Sequence, residues 1–344
     1  MKGVNKLLTS IIVLTHNQLP YTKECIRSIR MYTKSEEYEL IVVDNASTDG
    51  TTEWLTSQPD IIVIKNITNM GFPKGCNQGI LKAKGDNILL LNNDVIVTER
   101  WLTNLLRCLY KHENIAAVGP VTNNASYDTA IPATYTTLKE MQQFASRYNM
   151  GDENKWERRL KLIGFCLLIK RHVLDEVGLL DEQFTPGNYE DDDICLRITQ
   201  LNYTFYLCKD TFVHHYGSLS WKKDIQQYAH VLTENSQKFK NRWGFSATTL
   251  NIYTGLVNQL QQNIPFKNEL RILHVGSGCG ATLLEIQNRY PHFKVFGVEN
   301  NYHAHLFSKQ IAPTLCMPYE NITKAFINTK FHAILLTIPP QNSS

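Results

Sequence analysis

Apolar residues recur along the first part of the chain in short runs, separated by stretches with an apolar residue every three or four positions. The runs at Ser10 to Leu14, Leu40 to Val43, Ile61 to Ile64, Ile88 to Leu91 and Ala116 to Val118 have the length and β-branched content of buried strands. Between the first two, Pro20 stands where a helix can begin, and Tyr21, Cys25, Ile29 and Tyr32 share one helical face. Between the third and fourth, Cys76, Ile80 and Ala83 do the same, and Gly85 offers a stop. Strands alternating with helices predict an α/β fold with a mostly parallel central sheet flanked by helices.

From Trp156 the pattern changes. A strand is expected over Leu162 to Ile169, a helix over Arg171 to Val177 ended by Gly178, a second helix after Glu190, and a surface helix in "SWKKDIQQYAHVLTENSQKFKNRW". The Asn- and Gln-rich stretch around Pro265 reads as a helix-containing linker. Beyond it, "LRILHVGSGCGATLLEIQNRYPHFKVFGVENN" reads as strand, Gly-rich turn, helix and strand. Its Glu299 sits where an acid meets a ribose in Rossmann-like folds. The expected division is 1–245, a linker at 246–268, and a small Rossmann-like α/β region at 269–344.

Composition narrows the function classes. With 43% hydrophobic and 19% charged residues the chain is that of a folded globular protein. Its net charge of +3, without a dense Lys/Arg cluster, implies no nucleic-acid partner. The opening residues resemble a signal peptide weakly, but they lack a small-residue cleavage site and run into His16 and Asn17, so a first buried strand is the better reading. No segment approaches the roughly 18 consecutive apolar residues of a membrane span. Eight cysteines without a CxxC pair read as buried, reduced thiols. The expected location is cytoplasmic, with peripheral contact at the inner face of a membrane left open.

Ligands of open α/β sheets bind at the carboxyl ends of the strands, where strand order reverses. Polar turns stand at such ends here: "THNQ" with Thr15 and Asn17, "DNASTDGT" with Asp44 and Asn45, and "NND" with Asn92, Asn93 and Asp94. Asn66 and Asn69 lie near another. In "GFPKGCNQGI", Lys74 can face a phosphate, Gly71 and Gly75 allow close backbone approach, and Asn77 lies one turn into a helix. In "YEDDDICLR", the acids at 190–193 suit a helix N-terminus, yet four are more than capping needs, and their crowding raises at least one pKa. "FVHHYGSLSW" offers His214 and His215, either packed or as ligands.

Taken together, "SIIVLTHNQLPYTKECIRSI", "LIVVDNASTDGT", "NMGFPKGCNQGI", "GDNILLLNNDVIVTERWL" and "YEDDDICLRI" stand in the order and spacing of the family-two inverting glycosyltransferases, with the A-type nucleotide-sugar fold. The resemblance covers roughly residues 8 to 220. It implies that 1–245 is a glycosyltransferase domain, and that "NND" is a form of the DxD motif whose Asp94 binds a divalent cation, Mn²⁺ or Mg²⁺, bridging the donor's phosphates. It further implies Asp191 as the base that deprotonates the acceptor, Glu190 as the residue that orients it, and His215 rather than His214 at the metal, tilting preference toward Mn²⁺. A loop at Gly217 to Ser220 would close over the donor. Thr15, Asn17, Asp44, Asn45, Asn69, Lys74, Asn77, Asn92 and Asn93 become the nucleotide-sugar set, with Trp156, Phe165 and Tyr189 shaping specificity.

The implied activity is transfer of a sugar from a UDP- or dTDP-linked donor to a hydroxyl of a saccharide, lipid-linked or protein acceptor, in building a bacterial surface polysaccharide or glycoconjugate. "HVGSGCG" in turn resembles the first motif of S-adenosylmethionine-dependent methyltransferases, and the region is expected to be either a truncated or degenerate remnant or the start of a longer, working domain. Two alternatives follow: a methyltransferase with an accessory nucleotide-binding domain, or a non-catalytic nucleotide-sugar-binding scaffold.

Overall fold

The computed structural model describes residues 7–217, 225–263, 269–327 and 329–337. The chain forms two compact units: one up to Glu157 with Leu162–Asn235, the other Arg158–Lys161 with the chain from Ser236 onward. Most of the loop expected at Gly217 to Ser220, and the boundary expected at Pro265, lie outside the described residues.

The first unit runs β1 (Thr9–Thr15), α1 (Leu19–Tyr32), β2 (Tyr38–Asp44), α2 (Thr51–Thr56), β3 (Ile61–Lys65), α3 (Phe72–Lys82), β4 (Asn87–Asn92), β5 (Val95–Ile96), α4 (Trp101–Leu109), β6 (Ile115–Val121), α5 (Leu138–Tyr148), β7 (Trp156–Arg159), β8 (Cys166–Lys170), α6 (Arg171–Val177), α7 (Glu190–Gln200), β9 (Thr204–Phe212), β10 (His214–His215) and the first part of α8 (Ile225–Trp243). The main sheet has the order β3-β2-β1-β4-β8-β6-β9-β7. Strands β3, β2, β1 and β4 are parallel, and β8 runs antiparallel between β4 and β6. Helices cover both faces, so successive strand residues enter different cores: Ile11 and Val13 pack on one side, and Ile12 on the other. Burial on both faces is why these strands are unbroken apolar runs rather than alternating ones.

Strand order reverses at β1, which lies between β2 and β4. The register sets Thr15 beside Asp44 and Leu14 beside Asn92, so the polar turns after these strands gather at one edge of the sheet. Strand β8 begins at Cys166, four residues later than the expected Leu162. The earlier backbone groups turn to α7 instead of the ladder: Leu162 N–H meets the Cys195 sulfur and Gly164 N–H meets Asp191. Helix α5 carries a capping box between Thr137 and Glu140, a signal legible in the sequence and absent from the expected elements.

The second unit holds a four-stranded parallel sheet, ordered β13 (Thr314–Cys316), β12 (Lys294–Glu299), β11 (Arg271–Val275) and β14 (Ala333–Leu336). Helices α10 (Ala281–Arg289), α11 (Tyr302–Ser308) and α12 (Ile322–Ala325) connect its strands, and α9 (Thr254–Asn263) precedes them. Residues 236–263, expected in part as linker, belong to this unit: Phe239, Trp243 and Phe245 pack their rings on one another, and Trp243 and Phe245 pack on Phe307. Glu299 does end β12, but both its carboxylate oxygens receive main-chain N–H groups, from Gly278 at 2.7 Å and Asn301 at 2.8 Å. The other N–H groups of the Gly-rich turn are also taken by the chain, those of Gly276 and Ser277 by the Val298 carbonyl and that of Cys279 by Thr249.

Candidate active site

The "NND" turn closes β4 and leads directly into β5. That two-residue strand pairs antiparallel with β10, with Val95 opposite His215. The pairing brings His215 to Asp94, whose carboxylate oxygen lies 3.2 Å from the His215 Nε2 atom, both side chains being buried. The other ring nitrogen, Nδ1, is 2.8 Å from the Asn124 carbonyl oxygen. A carbonyl only accepts, so Nδ1 carries the ring's proton, and in the neutral tautomer the Nε2 lone pair points at a carboxylate. Two acceptors aimed at one another from buried positions suit a cation between them. Nε2 has no hydrogen bond, which fits a ligand atom whose partner is not part of the protein. Among the described residues no group of three or more His, Cys, Asp or Glu side chains gathers around a common point. Asp94 and His215 could offer a cation one oxygen and one nitrogen atom, and its other ligands would have to come from bound substrate or water.

His214, the neighbour on β10, has a different environment. Its Nδ1 lies 2.6 Å from the Tyr135 hydroxyl, and burial, helped by His215, pushes its pKa down to about 4. It reads as the packed histidine of the pair.

On the other side stands α7. Its first turn carries the four acids, and they divide by environment. Asp193 is fully buried and pairs with Arg197 at 2.8 Å; that guanidinium also donates to the carbonyls of Val177 and Leu179, so Asp193 ties α7 to the end of α6. Glu190 is buried, and desolvation with the neighbouring Asp191 and Asp192 charges holds its pKa well above the usual carboxylate range. Asp191 is half-buried, and accepts from the N–H groups of Gly164 at 3.3 Å and Asp192 at 2.9 Å. The approach to α7 uses left-handed backbone at Asn188 and Tyr189. Asn235 of α8, which the sequence reading missed, supports that turn by donating to the carbonyls of Phe184 and Gly187.

The dipeptide Gly164–Phe165 joins the two sides. Gly164 N–H meets Asp191, the Phe165 carbonyl accepts from Asn92 N–H at 2.9 Å, and the Phe165 ring stacks on His215 with centroids 5.1 Å apart.

The remaining expected residues fall into two groups. Thr15, Asn17, Asp44, Asn92 and Asn93 stand together at the carboxyl ends of β1, β2 and β4, Thr15 and Asp44 being fully buried. There Asn93 donates to the Thr15 and Thr22 hydroxyls, Asn17 accepts from Thr48 N–H, and Asp44 accepts from Ser47 N–H and the Thr52 hydroxyl. Among the described residues the side chains of Asn92 and Lys74 make no hydrogen bond or ion pair. Asn45 and Asn77 are buried and point instead into the protein, while the exposed Asn69 closes its own turn. Asn45 donates to the Gly71 carbonyl and accepts from Asn66 and Met70; Asn69 accepts from Gly71 N–H; Asn77 exchanges bonds with both backbone groups of Leu180 and reaches Glu182. The two glycines likewise face protein: a Cβ on Gly71 would lie 2.8 Å from Pro186, and one on Gly75 would lie 2.4 Å from Leu14. Close approach is needed there, but between a helix and its own neighbours.

No helix among the described residues is long and apolar enough to cross a membrane. Among curated proteins the chain is 25% identical over 250 residues to the uncharacterized protein y4gI of Sinorhizobium fredii, an alignment that covers 69% of this chain and 27% of that protein. It is 22% identical over 281 residues to the uncharacterized glycosyltransferase YfnE of Bacillus subtilis, covering 67% and 70% of the two chains. To the glycosyltransferase GlyG of Streptococcus pneumoniae it is 24% identical over 242 residues, covering 63% and 77%. The chain thus spans about a quarter of the length of the first of these relatives. Among solved structures, GalNAc-T7 with UDP, GalNAc and Mn²⁺ shares the fold, with a TM-score of 0.50 at 18% identity over 61% of this chain and 43% of that one. Residues 10–178 match the family profile described as "Glycosyl transferase family 2". That part of the chain is similar to glycosyltransferase family 2 domains, and its fold is the A-type fold of the solved structure.

Proposed function

We propose that the protein is an inverting, metal-dependent glycosyltransferase. It transfers a sugar from a UDP- or dTDP-linked donor to a hydroxyl acceptor, in the synthesis of a bacterial surface polysaccharide or glycoconjugate. The observation that carries this reading is the Asp94–His215 pair, linked to the acidic start of α7 through Gly164–Phe165, whose N–H meets Asp191 and whose ring stacks on His215. A dication held there would offset the charge that grows on the departing diphosphate. The chain's own groups do the rest. Asp191, fixed by two N–H groups, takes the proton of the attacking hydroxyl; Glu190 orients that acceptor from its buried position; Asn92 and Lys74, whose side chains have no partner among the described residues, face the donor. One base suffices for inversion, because attack comes from the side opposite the leaving group. Relatives named as glycosyltransferases, and the UDP and Mn²⁺ bound in the GalNAc-T7 structure, support this reading.

Calorimetric titration with UDP and with dTDP, each with and without Mn²⁺, tests it on the unaltered protein, Asp94→Ala and Asp191→Asn. We expect metal-dependent binding that is lost in Asp94→Ala and kept in Asp191→Asn, with turnover of the latter reduced by about a hundredfold to ten-thousandfold. Absence of nucleotide binding in every arm would overturn the donor site.

A further inference from the structure

His215 is held by more than its strand partner. On one side its backbone pairs with Val95 across β5 and β10. On the other it meets a side chain. Oδ1 of Asn123 accepts the His215 N–H at 2.9 Å, while Nδ2 of the same amide donates to the His215 carbonyl at 3.1 Å. One primary amide thus satisfies both main-chain groups of the histidine, as a third strand would. This pairing also settles which end of the amide is oxygen, because an N–H needs an acceptor and a carbonyl needs a donor. The Thr122 hydroxyl, 3.2 Å from Oδ1, holds the amide in place. Thr122 is itself anchored, its N–H to Thr129 and its carbonyl to Ile131.

The next residue completes the arrangement. The Asn124 carbonyl takes the His215 Nδ1 proton, which fixes the tautomer, and the Asn124 side chain donates to the Tyr216 carbonyl at 3.4 Å. The side chain lies so close to Gly217 that a Cβ there would be 2.0 Å from its nitrogen. Residues 122–124, directly after β6, therefore grip His215 at its N–H, its carbonyl and its ring.

We infer that Asn123 is a positioning residue for the cation site. It presets the backbone of His215 so that Asn124 can hold the ring with Nε2 turned toward Asp94. The inference rests on the metal-site reading above, and deepens it by naming what orients the nitrogen ligand. Partners that orient a metal-binding histidine contribute about tenfold to a hundredfold in metal affinity.

The test uses the full chain with UDP and Mn²⁺, read by pulsed electron paramagnetic resonance and by calorimetry. The unaltered protein is expected to show nitrogen modulation from a histidine bound to Mn²⁺, and His215→Ala to lose it. Asn123→Ala is expected to weaken Mn²⁺ binding about tenfold or more and to diminish the nitrogen signal, while UDP-dependent binding through Asp94 persists. Asn123→Asp keeps the acceptor for the His215 N–H and loses the donor to its carbonyl, so it gives an intermediate result and serves if the alanine variant does not fold. Loss of fold stability alone would not remove a nitrogen signal from protein that still binds Mn²⁺. Unchanged affinity and nitrogen signal in both Asn123 variants, with both lost in His215→Ala, would overturn this inference and leave the metal site standing. An unaltered protein without nitrogen modulation would overturn the metal role of His215, and this inference with it.

Discussion

His215 Nε2 and an Asp94 carboxylate oxygen face each other at 3.2 Å, across the seam between β5 and β10. The Asn124 carbonyl takes the proton of the other ring nitrogen, so in the neutral ring the Nε2 lone pair faces the carboxylate. In the proposed site both side chains serve one ion, so their losses should not add. Asp94→Ala and His215→Ala are each expected to weaken Mn²⁺ binding in the presence of UDP. In the double variant the loss should fall short of the sum by a coupling energy of about 0.5–3 kcal/mol. Calorimetry on the four proteins measures it; simple additivity would mean that the two side chains act apart.

Glu190 sets a pH dependence. Its folded pKa lies well above the ordinary 4.5 because burial, and then the Asp191 and Asp192 charges, disfavour the carboxylate. The fold therefore favours the protonated form. Its contribution is fully present below the ordinary carboxylate range and is lost as pH rises through the folded value. Melting temperature should fall as pH is raised over that window. The isosteric Glu190→Gln, which cannot ionise, should flatten the slope, and an identical slope in both proteins would count against this assignment.

Asn77 distinguishes a binding role from a structural one. Its amide meets both backbone groups of Leu180 from within α3, and the contact is buried. Asn77→Ala would strand those groups at a cost of about 1–3 kcal/mol. Denaturant unfolding should show this loss, while UDP affinity per folded molecule stays unchanged. A weakened affinity at unchanged stability would return Asn77 to the donor site.

The second unit contains a buried ion pair. Arg159 Nη1 lies 2.8 Å from Glu285, with both side chains 4% exposed, and Arg289 shares the carboxylate at 2.6 Å. Glu285→Ala leaves a buried guanidinium without this carboxylate, and should cost about 3–5 kcal/mol. Hydrogen exchange over 269–299 reports the loss directly; unchanged protection there would show that the pair contributes little.

Strands β1, β2, β4 and β6 were legible because a strand buried on both faces must be apolar throughout, and the half-buried edge strand β3 was legible from its β-branched run. Helix α1 was legible from its proline start and its stripe at Cys25 and Ile29. The late start of β8 was not. The backbone of Leu162 and Gly164 meets Cys195 and Asp191, a choice made by residues about thirty positions away in α7.

The candidate site divides in the same way. By itself, the sequence determined which polar turns stand at strand ends, and that acids open α7, because chain order and periodicity are local properties. Only the tertiary structure decided which side chains are free to meet a ligand. Asn45, Asn69 and Asn77 carry the same amide as Asn92, yet they bond to the chain's own backbone while Asn92 does not. The meeting of Asp94 with His215, and the grip of Asn123 on that histidine, come from the pairing of two-residue strands distant in the chain. Hydrogen-bond partners at such separation depend on how the whole sheet closes, which no local pattern encodes.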